Sequence, residues 1–166
     1  MAAIDDDLAK AIVSEARNEL RSCQRRIRHC VDQLNDEQIW WRAGDSFNSI
    51  ANLLLHLTGN IEQRINSILG GRPDFRDRPA EFSARGPIAK TELVARFDEV
   101  IERADGVLAG LSATRLLETH RFLKLRGEVE GTAVTLIVQT LVHLGGHTQE
   151  IIALTRLQLR DAYRFM

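Results

Sequence analysis

The chain has 166 residues, 44% hydrophobic and 27% charged, with a net charge of -1 at neutral pH. That length and composition fit one globular domain over residues 1–166 with a sizeable core. The near-zero charge excludes a global field for nucleic acid or anionic lipid, and no run approaches the ~18 apolar residues of a membrane span.

The first predicted helix runs from about Asp5 to Leu34. Asp5, Asp6 and Asp7 stand where carboxylates favour the helix dipole. Leu8, Ile12, Leu20, Ile27, Val31 and Leu34 supply the apolar pattern. Opposite lies a basic row, Arg17, Arg21, Arg25 and Arg28, which reads as a solvated face with Glu15 and Glu19 as partners rather than a nucleic-acid site. Cys23 and Cys30 sit roughly 10 Å apart along this helix, too far for a disulfide. MAAIDDDLAK has neither the basic nor the apolar region of a signal peptide, so free thiols in a reducing, cytoplasmic setting are expected. His29 and Cys30 are adjacent and point to different faces. Residues 35–46 form a connection. Gly44 breaks the helix there, and Asp45 or Ser46 caps the next. Trp40 and Trp41 read as core or interface anchors.

The second predicted helix, Phe47 to Leu69, carries a stripe of Ile50, Leu53, Leu54, Leu57, Ile61, Ile65 and Ile68. His56 falls roughly 120° round from the middle of that stripe, at the edge of the buried face. It shares this edge with Asn52, Asn60 and Gln63. Residues 70–89 hold all three prolines and read as a loop of about twenty residues. Such a loop can cross over a helix, so the second and third helices need not be antiparallel neighbours. The third helix, Thr91 to Leu111, has an apolar stripe and no histidine or cysteine, and its role reads as structural. Residues 112–131 connect onward, with a short extended piece at Phe122 to Leu125 and His120 as an exposed loop histidine.

The fourth helix, Thr132 to Arg156, carries the most informative residues. Its stripe is Val134, Ile137, Val138, Leu141, Leu144, Ile151 and Ile152. His143 and His147 are four apart and stack on one face. They lie roughly 120° and 80° round from the stripe, in the same sense as His56. Gly145 and Gly146 stand between them. Each costs about 1 kcal/mol against Ala in a helix interior, a cost that close approach of another backbone or a ligand would offset. The C-terminal LQLRDAYRFM extends this helix or packs at an interface.

Four amphipathic helices without a convincing strand predict an all-α four-helix bundle. With the second and fourth helices as neighbours, His56, His143 and His147 lie at one depth and converge. Three neutral imidazoles with an open position suit catalytic zinc, and imidazole also suits nickel and iron. Leu144 stands where a zincin has its glutamate, which argues against that peptidase type. The bland alternative is three ordinary polar-edge histidines.

NSIANLLLHLTGNIEQRI (Asn48 to Ile65) and TLIVQTLVHLGGHTQEIIALTR (Thr135 to Arg156) resemble the two signature helices of the DinB/YfiT-like superfamily. That pattern has one histidine on the second helix and an HxxxH pair on the last. The resemblance implies His56, His143 and His147 as ligands of a divalent metal, commonly nickel or zinc. It implies up-down-down-up topology, with the long crossover between helices two and three, and a homodimer. Many members follow the last histidine with Gly-Gln-Ile. Here Thr148, Gln149, Glu150 and Ile151 follow, so supporting roles do not transfer residue by residue. Relatives that use a low-molecular-weight thiol make a metal-dependent thiol transferase or hydrolase, acting on a small molecule, the first expectation. Asn60 and Glu150 are its candidates for contacts to the ligands or substrate, and no catalytic base is assigned. The alternative is a non-catalytic metal- or ligand-binding bundle.

Overall fold

The computed structural model describes residues 2–124 and 127–166. The elements in order are α1 (Ala2–Val31), α2 (Asp36–Trp40), α3 (Ile50–Ile61), α4 (Arg78–Ser83), α5 (Lys90–Ala109), α6 (Ala113–Leu117), β1 (Thr119–Lys124), β2 (Gly127–Thr132) and α7 (Ala133–Leu159). A short 3-10 turn, Arg160–Ala162, follows. The second long helix does not stay α-helical. From Glu62 to Leu69 it widens into a π-helix, seen in the bond from Gly70 N to Ile65 O at 2.9 Å.

The long helices α1, α3 with its π continuation, α5 and α7 form a four-helix bundle. Helix α1 packs on α5 and α7, and α3 packs on the same two. Contacts along each seam fix the directions. Arg17 pairs with Asp105 and Arg28 with Asp98, so α1 and α5 are antiparallel. Cys23 lies beside Thr148 and Cys30 beside Thr155, so α1 and α7 are parallel. The Asn66 amide donates to Val100 O, and Gly70 abuts Val107, so the second and third long helices run parallel. The result is up-down-down-up topology. Leu20, Ile27, Leu54, Leu57, Phe97, Ile101, Leu144 and Ile151 fill the core and are essentially inaccessible.

Several expectations need correction. The 35–46 connection contains α2, closed by a capping box on Asn35. The cap of α3 is Ser49, not Asp45 or Ser46. The 70–89 crossover is not a bare loop. Asp77 caps α4, with Pro79 in its first turn. The fold includes strands: β1 and β2 form an antiparallel hairpin with Arg121 opposite Glu130, bonded at 2.7 Å. His120 is half-buried on β1 rather than exposed in a loop. The partners of the basic row are not Glu15 and Glu19 but Asp98, Glu102 and Asp105 of α5. Three of its four arginines are thereby committed to ion pairs across the α1–α5 seam, and Arg25 is exposed. Cys23 and Cys30 are buried free thiols, and Tyr163, beyond α7, packs against the core. Among the described residues no helix is long and apolar enough to cross a membrane.

Candidate metal centre

Helix α3 enters on a capping box in which the Ser49 and Asn52 side chains each satisfy the other's backbone. Two turns on, His56 is only 4% exposed. The antiparallel passage of α7 brings His143 and His147 onto it. His56 Nε2 lies 2.8 Å from His143 Nε2, and the rings meet edge to face. One nitrogen from each histidine falls within 4.8 Å of the others. The three residues that the spacing singled out are therefore brought together.

The structure adds a partner that the sequence reading missed. Glu81, on α4, reaches the far side of His56 and accepts from Nδ1 at 2.8 Å. Arg76 braces that carboxylate through Nε at 2.7 Å and Nη2 at 3.0 Å, and donates Nη1 to Gln63. Arg76 Nη2 also passes Nδ1 of His56 at 3.1 Å. Nδ1 cannot both donate to Glu81 and accept from Arg76, and the shorter, charge-assisted bond to Glu81 decides the tautomer. Burial acts to raise the Glu81 carboxyl, but the bonds from His56 and Arg76 outweigh it and hold it below its ordinary range. On the other helix His147 Nδ1 lies 2.7 Å from Glu150 Oε2. Burial, reinforced by the charges of His147, His56, Arg64 and Arg76, pulls His143 down to about 4. That imidazole is neutral at pH 7.

This donor set fits a metal ion. With Nδ1 of His56 and of His147 tied to carboxylates, each Nε2 keeps its lone pair for a ligand, the arrangement that orients histidines at metal sites. His143 Nε2, 2.8 Å from His56 Nε2, then donates to it, and a neutral His143 offers a third nitrogen once that single proton is moved or displaced by the ion.

The polar edge of α3 has a use that periodicity alone did not reveal: it fastens the crossover. Asn52 Nδ2 donates to Glu81 O and Ala84 O, and Gln63 Nε2 donates to Asp74. Asn60 is different. It is 6% exposed, and its Oδ1 has no partner among the described residues. No other backbone approaches Gly145 or Gly146: among the described residues a Cβ at either would meet nothing within 4 Å. The glycine that does permit a close approach is Gly59, where a Cβ would stand 2.1 Å from Glu81 Oε1 and 3.2 Å from Arg76 Nε. Gly59→Ala should therefore push Glu81 off His56. The expected result is a metal affinity at least about tenfold weaker, read by chelator competition, even though Ala favours the helix by about 1 kcal/mol. Unchanged affinity would mean the crossover can shift without releasing His56.

Glu81, Arg76 and Gly59 escaped the sequence reading because no periodicity links them to His56. One signal was available: Asp77, Pro79 and Glu81 form a helix-start pattern inside the supposed loop.

A DinB/YfiT-like bundle with a three-histidine cluster able to hold a metal ion is the class that fold and site define. The chain belongs to the DUF1572 family, described as a protein of unknown function, whose model matches residues 7–166. Among solved structures it is similar to a dinB-like protein from Bacillus subtilis, at 14% identity and TM-score 0.67, covering 91% of this chain and 96% of that one. It is similar to YfiT from Bacillus subtilis, described as a probable metal-dependent hydrolase with an unusual four-helix bundle topology. There the identity is 17% and the TM-score 0.69, covering 88% and 87% of the two chains. It also matches a mycothiol-dependent maleylpyruvate isomerase at 12% identity and TM-score 0.66, covering 84% of this chain and 60% of that one. Among curated proteins none matches significantly.

Proposed function

We propose that this protein is a metal-dependent enzyme acting on a small molecule, with His56, His143 and His147 holding one divalent ion, nickel or zinc. The observation that carries the reading is the bond from His56 Nδ1 to the buried Glu81 carboxylate, braced in turn by Arg76. A histidine with no ligand to hold would have little need of a buried ion pair to fix its ring. Glu150 does the same for His147, and Asn60 is left to contact substrate.

When bound, the ion would lower the pKa of a thiol or water and supply a nucleophile near neutral pH. The chain's own residues present three imidazoles, fix the ring orientation of two of them and shield His56 from solvent. Thiol transfer from a low-molecular-weight thiol and hydrolysis are the two chemistries this fits. The names of the isomerase and of YfiT support them only as a likeness of fold. The reading extends to a cytoplasmic homodimer, in keeping with two free, buried cysteines.

Elemental analysis of the purified protein beside His143→Ala/His147→Ala tests the centre. About one transition ion per chain, lost in the variant, is expected. No metal in either protein after incubation with nickel or zinc would end the proposal. Metal without turnover of any thiol-transfer or hydrolysis substrate would favour the non-catalytic binding bundle.

A further inference from the structure

Two arginines bear on the centre, and they are not alike. Arg76 is committed to Glu81 and Gln63. Arg64, on the π-helical stretch two turns beyond His56, is half-buried. Among the described residues it has no carboxylate, carbonyl or amide partner. Its guanidinium instead lies over the Phe122 ring of the hairpin, 5.3 Å from the centroid. A half-buried cation without a counter-charge is costly. Burial, with the nearby charge of Arg76, draws its pKa down, although a guanidinium stays protonated.

Asn60 stands one turn before Arg64. It is also buried, and its Oδ1 is unpartnered among the described residues. The helix therefore offers, in sequence, His56, an unsatisfied amide and an unpaired guanidinium. A ring beneath a guanidinium leaves its edge free for a planar, two-pronged partner.

We infer that Arg64 receives a carboxylate of the substrate, while Asn60 Oδ1, an acceptor, takes a hydrogen bond from a donor group beside that carboxylate, so that the small molecule acted on at the histidine centre is an organic acid. The inference rests on the metal reading above and adds the substrate class. One unpaired guanidinium balances a singly charged carboxylate; a phosphate dianion would call for a second free cation, and Arg76 is already neutralised by Glu81.

The test titrates the zinc-loaded protein with 3-mercaptopropionate, 2-mercaptoethanol and inorganic phosphate, following arginine Nε–H signals by NMR. The expected result is that 3-mercaptopropionate binds at least about tenfold more tightly than 2-mercaptoethanol, the scale of a charge-assisted bond, and moves the Arg64 signal. In Arg64→Ala the preference should fall to about twofold or less while zinc affinity is not weakened. Arg64→Lys should keep part of it, as charge without the fork. Equal binding of the two thiols to the wild type, a preference that survives Arg64→Ala, or tighter binding of phosphate would overturn the assignment. If the protein takes up neither zinc nor nickel, the metal reading fails separately. Propionate titrated onto the metal-free protein should still move the Arg64 signal, and a static signal there overturns the carboxylate site on its own.

Discussion

Glu81→Ala is expected to weaken metal binding by about 10–100-fold and to destabilise the metal-free protein by about 3–5 kcal/mol. Both effects have one cause. The Arg76 and Glu81 side chains are each 8% exposed and form a buried ion pair. Removing the carboxylate strands a guanidinium in a site built for its partner, and at the same time frees Nδ1 of His56. The two consequences separate in a double variant. Glu81→Leu with Arg76→Met removes both charges at similar volume and should recover most of the stability, but not the metal affinity, because His56 still lacks its acceptor. Denaturant unfolding of the metal-free proteins and chelator competition on the loaded ones make the comparison. Intact metal affinity in Glu81→Ala would contradict the orienting role.

The second large effect is linkage between metal and folding. An ion bound by three side chains on two helices is bound by the native state alone. Free metal at about 1,000 times its dissociation constant should therefore raise the unfolding free energy by about 4 kcal/mol. His147→Ala should abolish that gain while changing the metal-free stability little, since its side chain is 22% exposed and, among the described residues, hydrogen-bonds only to Glu150 one turn away. His56→Ala should lose the gain as well and also cost stability without metal, because it leaves Glu81 short of a donor in a buried place. Thermal or denaturant unfolding with and without zinc reads all three. A metal-induced gain that persists in His147→Ala would place the ion elsewhere.

How far the sequence led can be judged residue by residue. The four long helices were legible because Leu54, Leu57, Ile101, Leu144 and Ile151 recur at helical spacing, and the core they form is what aligns the bundle. His56, His143 and His147 were legible as a group because helix geometry fixes where such residues face. What surrounds them was not. Glu81 is twenty-five residues from His56, on a six-residue helix whose start is marked only by Asp77 and Pro79. The widening after Ile61 changes which residues align with His56, yet a π-turn has no composition of its own to read. The glycines divide in the same way. Gly145 and Gly146 drew attention by standing between two histidines, but they face open space, whereas the unremarked Gly59 holds the room for the Arg76–Glu81 pair.

The crossover from Gly70 to Ala89 is exposed along most of its length, and Arg76, Glu81, Phe82, Ala84 and Ile88 are the residues that turn inward. It is held to α3 largely by polar contacts from Asn52, His56 and Gln63, and its apolar share of the core is mainly Ile88. A segment fastened this way can open while the four long helices stay packed, because such local openings lie well below the free energy of global unfolding. The histidines thus belong to the most persistent part of the molecule, and the group that orients one of them belongs to the most removable. Selection acting on this surface strap alone could strengthen or loosen the grip on an ion without disturbing a single residue of the bundle interior.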